Sequence, residues 1–141
     1  AANVTLNDGQ NASTNLAFRG TTDSDLFFVS GPSDKVGIFY YPWYGNPNDE
    51  NGEWDHWDVA DLFDPPTDIF SDYYPVLGAY SSMDSIIIAQ HFAWLREAGV
   101  GVVISSWWGQ GDQSDEAIPI ILEQAKKYKI KVFFQNFSSR K

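Results

Sequence analysis

Val36-Gly37-Ile38-Phe39-Tyr40-Tyr41-Pro42-Trp43-Tyr44-Gly45 is the stretch on which the fold turns. Its first six residues are a nearly continuous apolar run, and Pro42 removes the N–H that a strand ladder needs next. A short run without alternation reads as a strand buried on both faces. Residues 100–105 (Val-Gly-Val-Val-Ile-Ser) and 130–134 (Ile-Lys-Val-Phe-Phe) have the same character.

Two helical stretches separate these runs. The first covers residues 84–98, with Ile88, Phe92 and Leu95 at i, i+4 and i+7. Asp84 suits its N-cap, and Gly99 stands where a left-handed stop is wanted. The second covers residues 115–128, with Ile118, Ile121, Leu122 and Ala125 on one face. Pro119 falls in its first turns, where a missing N–H does least harm, and Lys126, Lys127 and Lys129 suit its carboxyl end. Strand, helix, strand, helix, strand with apolar strands predicts parallel βαβ units. In that geometry the carboxyl ends of the strands open on one face, where chemistry gathers.

Outside this region the chain changes character. Residues 1–35 read as a polar tail or stem rich in Asn, Thr, Ser and Gly, broken by the apolar patch Leu26-Phe27-Phe28-Val29. The chain begins at Ala1, which reads as a processed or cut product. N-x-Ser/Thr triplets begin at Asn3, Asn11 and Asn136, and the first two are the candidate glycan acceptors of a secretory-pathway protein. The domain division expected is therefore a tail at 1–35 and a folded unit at 36–141.

The 141 residues carry a net charge of −10. The charge is uneven: residues 1–85 hold fourteen carboxylates against two cations, and residues 86–141 five against seven. An anionic front half repels phosphate backbones, so nucleic acid is not expected as a partner and acidic membrane surfaces are poor candidates. No apolar run is long enough to span a bilayer. Absence of cysteine removes disulfides and thiolate chemistry.

Aromatic residues make up 16% of the chain, and twelve of the twenty-three fall between Phe39 and Tyr80. A core does not call for so many Trp and Tyr in one stretch. Three turns just past the strands carry them: 41–45 with the long segment that follows, 105–109, and 135–137. Indole and phenol rings have flat apolar faces with a polar edge. That matches a pyranose, which has a C–H face and a rim of hydroxyls, better than a nucleotide or a lipid. Phe39, Tyr40 and Phe63 flank apolar neighbours and are expected to pack. Trp43, Tyr44, Trp57, Trp107 and Trp108 stand at or after strand ends and are expected at the site.

Other candidates carry less. Asp55, His56 and Asp58 have metal-ligating side chains, but a chain with two His residues is a poor source of a dedicated metal site. No metal or other cofactor is expected. His91 lies mid-helix and reads as a hydrogen-bonded core residue. Gly109-Gln110-Gly111 lacks the Lys and spacing of a phosphate loop. Ser105 and Ser106 have no partner base that sequence nominates.

At these residues the chain resembles glycoside hydrolase family 99, the endo-α-1,2-mannosidases. The matching pieces are residues 36–47, His56-Trp57, Pro65-Pro66 with Asp68-Ile69, Tyr74-Pro75 through Asp84, Ser106-Trp107 with Gly109, and Ile118-Pro119 with Ile121-Leu122. The resemblance implies a (β/α)₈ TIM barrel cleaving internal α-1,2-mannosidic bonds of N-glycans or mannans with retention of configuration. It implies one Glu protonating the leaving oxygen and another assisting the 2-hydroxyl, through an anhydro-sugar intermediate. It places both glutamates on a late strand-end loop beyond Lys141, so no residue here inherits a catalytic role. A His-x-Glu-Pro-Tyr pattern of relatives faces Phe133-Phe134-Gln135-Asn136-Phe137, an amide and a phenyl ring where they have a carboxylate and an imidazole.

A full barrel takes ~250 residues, and three strands are countable here. The expectation is thus a partial α/β barrel of about three parallel strands and two helices, inactive alone and prone to self-association through open sheet edges. The oligosaccharide contacts expected are Tyr41, Trp43, Tyr44, His56, Trp57, Trp107, Trp108 and Gln135, in a protein of the Golgi lumen or secreted. A non-catalytic mannoside-binding module and a decayed product are the competing readings.

Overall fold

β1 (Ser33–Tyr40), β2 (Val100–Trp107) and β3 (Lys131–Asn136) pair in parallel, in that order across one sheet. Helices α1 (Ser85–Glu97), α2 (Gln113–Glu116) and α3 (Ile118–Tyr128) occupy the two crossovers. This computed structural model describes residues 31–50 and 52–137. The Leu26-Phe27-Phe28-Val29 patch, the sequons at Asn3 and Asn11 and most of the 1–35 tail lie outside the described residues.

Each helix forms for a local reason. The Asp84 carboxylate accepts the Ile86 N–H at 2.8 Å and caps α1. At its other end Gly99 takes φ +77° and donates its N–H to the Arg96 carbonyl, the left-handed stop the sequence calls for. The expected single helix over 115–128 is two. Asp112 caps the one-turn α2, and α3 begins afresh after Ala117 with Pro119 in its first turn. Proline has no N–H to give to the carbonyl four residues back, so the ladder breaks there.

Ile88 and Phe92 of α1, Val103 of β2, Ala117, Ile121 and Ala125 of the second crossover, and Ile130 form the buried core. Leu95 packs against them, as the periodicity predicts. Leu122 does not: it is 46% exposed, and Gln124 turns inward in its stead. Successive helix positions are rotated by about 100°, and only one of the two can face the sheet.

Register organises the sheet into rows. Phe39, Ile104 and Phe133 align across the three strands, as do Tyr40, Ser105 and Phe134 one step further along. Val103 lies under the helices, so by alternation the Phe39 row faces the opposite side. Among the described residues no layer covers that side. Phe39 is 55% exposed and Phe133 58%. The expectation of strands buried on both faces therefore fails for β1 and β3, each of which has a strand neighbour on one side only, while central β2 is buried on the helix side and half-buried at Val102 and Ile104 on the other. Phe39, expected to pack, is open for the same reason. Tyr40 packs on the core and Phe63 against Phe70 as expected.

A close approach at the amino end fixes the register. Ser33 pairs with Val100 and Gly37 with Val102, so β1 advances four residues while β2 advances two. A Cβ on Gly101 would lie 2.3 Å from the Ser33 carbonyl carbon and oxygen. Only glycine fits there.

Candidate functional site

All three strand ends contribute rings to one surface. Pro42 is buried and ends the β1 pairing. On either side of it in the chain, the Tyr41 and Trp43 rings stack at 4.7 Å, and Trp43 stacks in turn on His56 at 4.7 Å. Trp108, after β2, stands 6.2 Å from Trp43 and tilted by 45°. Phe137, after β3, stacks on Trp108 at 5.6 Å, while its N–H donates to the Trp107 carbonyl at 2.8 Å.

Beside these rings lies a cavity of about 450 Å³ lined by Trp43, Asp55, His56, Trp108, Gly111, Asp112 and Gln113. A larger, ring-free hollow of about 640 Å³ adjoins it across Gly111 and Gln113, lined also by Asn48, Asp49, Glu50, Met83 and Glu116. Flat rings beside carboxylates and an amide suit a polyhydroxylated ring. The smaller cavity is therefore the candidate site.

The sequence-predicted residues divide. Trp43, His56 and Trp108 line the cavity, and Tyr41 flanks it through the stack on Trp43. Tyr44 supports from behind, its ring 4.2 Å from that of Trp57. Trp57 is a correction: it is 2% exposed, and its indole N–H donates to the Tyr80 carbonyl at 2.7 Å. It anchors the long connection and presents no face to a ligand. Trp107 is half-buried and outside the cavity lining. Alternation along β2 points it to the helix side with Val103, where its N–H donates to Asp115 Oδ1 at 2.8 Å. Gln135 is exposed on the open face, in register with Ser106, and outside the cavity lining.

The connections are held by hydrogen bonds. The Tyr44 carbonyl accepts from the Ser82 N–H at 2.7 Å and from Gln113 Nε2 at 3.0 Å. The Ser82 hydroxyl accepts the Tyr44 N–H at 3.1 Å. One-turn α2 is the hub of the second connection: Gln113 reaches the first connection, Ser114 Oγ accepts the Trp108 N–H at 3.0 Å, and Asp115 also accepts the Gly111 N–H at 3.0 Å. Those two bonds, from Gly111 first and Trp107 second, hold the Asp115 carboxyl below the usual carboxylate range. His56 sits in a tight turn at φ +60° closed by an Asp55–Asp58 bridge.

Behind the mouth a neutral polar cluster joins β1 to α1. The Tyr40 hydroxyl and His91 Nδ1 are 2.9 Å apart, and Tyr80 lies edge-on to His91 at 5.1 Å. Burial drives the Tyr40 hydroxyl upward, Tyr80 to about 12, and His91 below its ordinary value. His91 is the hydrogen-bonded packing residue expected. Ser105 and Ser106 are buried, and Ser106 Oγ has no partner among the described residues.

Sequence reading missed Asp112, Gln113, Ser114 and Asp115, and it flagged the 135–137 turn without naming Phe137 as a site residue. An Asp-x-Ser-Asp just ahead of an interrupting proline is a usable sign of a capped single turn, but its contacts with Tyr44 and Trp107 are tertiary. Among the described residues no group of three or more His, Asp or Glu is placed to hold a metal ion.

Comparison with known proteins gives a consistent result. The sequence model of glycosyl hydrolase family 99 matches residues 32–141. A glycoprotein endo-alpha-1,2-mannosidase-like protein of Danio rerio is 34% identical over 91% of this chain and 32% of its own length. The glycoprotein endo-alpha-1,2-mannosidase of Rattus norvegicus is 38% identical over 70% of this chain and 26% of its own. The structure of the GH99 endo-alpha-mannosidase from Bacteroides thetaiotaomicron superposes with a TM-score of 0.67 at 34% identity, covering 78% of this chain and 35% of that one. The chain thus spans about a third or less of the length of these relatives. Its parallel sheet and crossover helices are a partial (β/α)₈ barrel.

Proposed function

The chain belongs to glycosyl hydrolase family 99, and from that premise we propose that it forms the mannoside-holding sector of an endo-α-1,2-mannosidase-like glycoside hydrolase. The observation that carries this reading is the ring surface joining Tyr41, Trp43, His56, Trp108 and Phe137 beside a sugar-sized cavity. In this reading the C–H face of a mannose rests on Trp43 or Trp108. Asp55, Asp112 and Gln113 then meet its hydroxyls. The acid and the carboxylate that break the bond are assigned to no residue of this chain.

Titration with α-1,2-mannobiose tests the binding step. Tryptophan emission should change saturably at millimolar sugar, and a flat titration would remove the reading. Incubation with an α-1,2-linked mannose oligosaccharide tests the chemical step. The 141-residue chain by itself should release no fragment, and release would place the acids on it. Binding without cleavage is also what a non-catalytic mannoside-binding module would give.

Two properties belong to the same proposal. A secretory-pathway lumen is the expected setting, and enzymatic removal of N-glycans should then speed the migration of the secreted chain through its Asn3 and Asn11 sequons. Self-association is expected through the edges of β1 and β3 and the open Phe39–Phe133 face. Sedimentation should reveal a concentration-dependent increase in mass, and a monomer at every concentration would exclude it.

A further inference from the structure

Among the described residues the cations all lie at one end of the barrel axis, away from the mouth. Strands run toward the mouth and helices run back from it. The two connections at the mouth, residues 41–84 and 108–117, contain thirteen Asp and Glu and no Lys or Arg. The described cations sit at the far end. Lys35 and Lys131 are at strand starts, Arg96 is in the last turn of α1, and Lys126, Lys127 and Lys129 close α3. Several are also engaged there: Lys131 pairs with Asp34, Arg96 Nη1 donates to the Tyr128 carbonyl at 3.3 Å, and Lys127 lies over the Tyr128 ring.

Carboxylates reach the cavity itself. Asp55 and Asp112 line it, and Asp49, Glu50 and Glu116 line the adjoining hollow. Resting on the mannoside reading above, we propose that this mouth selects neutral mannosides and rejects those bearing a phosphate monoester. A concave site lined by one sign of charge concentrates its field on whatever enters. A single carboxylate about 10 Å from a dianionic phosphate weakens binding by about fourfold in water before screening. Several acting together give a strong filter, and a neutral sugar does not feel it. Hydroxyl groups still find acceptors in Asp55 and Asp112 of the cavity itself, so the rejection costs the neutral ligand nothing.

The test compares α-1,2-mannobiose with its 6-phosphate by tryptophan emission on the 141-residue chain, at about 10 mM and about 1 M salt, where screening lengths are about 30 and 3 Å. The neutral disaccharide should bind equally at both. The phosphorylated one should bind at least about tenfold more weakly at low salt, with the gap closing at high salt. Glu50 and Glu116 are exposed and outside the aromatic cavity, so E50Q/E116Q should narrow the low-salt gap while leaving neutral affinity unchanged. Equal affinities at low salt overturn the proposal. A gap that persists unaltered at high salt and in the double variant overturns it too, because the discrimination is then steric. If neither sugar binds, the mannoside reading itself fails and this inference goes with it.

Discussion

The Trp107 indole N–H donates to Asp115 Oδ1 across 2.8 Å, and the other oxygen of that carboxylate takes the Gly111 N–H. One side chain on a single helical turn therefore holds a strand-end tryptophan and the tip of the loop that walls the cavity. Trp107 is tied into the second connection, and its neighbour Trp108 lines the cavity.

Asp115→Ala should release both partners, shifting tryptophan emission to the red and weakening mannobiose binding several-fold. Asp115→Asn keeps an acceptor for the indole and should do less. Because the carboxyl titrates below the ordinary value of about 3.9, the structure it holds is present above that value. It is lost only as pH falls through the lowered one. Emission that changes already between pH 6 and 5 in the wild type, about one to two units above that ordinary value, would contradict the assignment if the change disappeared in Asp115→Ala.

Trp57 and Trp108 should respond oppositely to truncation. Trp57→Ala empties a site that is 2% exposed and should cost about 3–5 kcal/mol of stability, read from the urea midpoint. Trp108→Ala, at a residue 42% exposed, should leave the midpoint nearly in place and weaken mannobiose by about tenfold. Reversed results would exchange the two roles.

His91 gives a pH dependence. Burial favours its neutral form in the fold, so the unfolded chain binds a proton more readily, with an ordinary pKa of about 6.5. Stability from this residue is complete above that value and declines as pH falls below it. His91→Gln should flatten the denaturation midpoint between about pH 7 and 5. An unchanged slope would mean that other groups carry it.

Gly101→Ala probes the register. The added methyl meets Ser33 backbone at 2.3 Å, so β1 and β2 must part, at a cost of about 1–3 kcal/mol. A chain as stable as wild type by denaturant titration would show that the strands do not approach so closely.

The architecture was legible because it is local. Apolar runs of strand length, a capping Asp84, a stopping Gly99 and the 3.6-residue spacing of Ile88, Phe92 and Leu95 each act within a few residues, so parallel βαβ units follow from the sequence. Pro119 was expected to be tolerated in the first turns of a single helix, and the separate turn ahead of it was not foreseen.

Which tryptophan lines the cavity was not legible. Trp107 and Trp108 are adjacent in sequence and alike in chemistry, yet the first ends β2 bonded to Asp115 and the second, past the strand, lines the cavity. Trp57 was indistinguishable from Trp43 until the connection closed over it onto Tyr80. Sequence likewise carried the surplus of acid in the first half of the chain. Only the return of each helix from mouth to base turned that surplus into a polarity between two ends, because where charges meet in space depends on the direction of every intervening element.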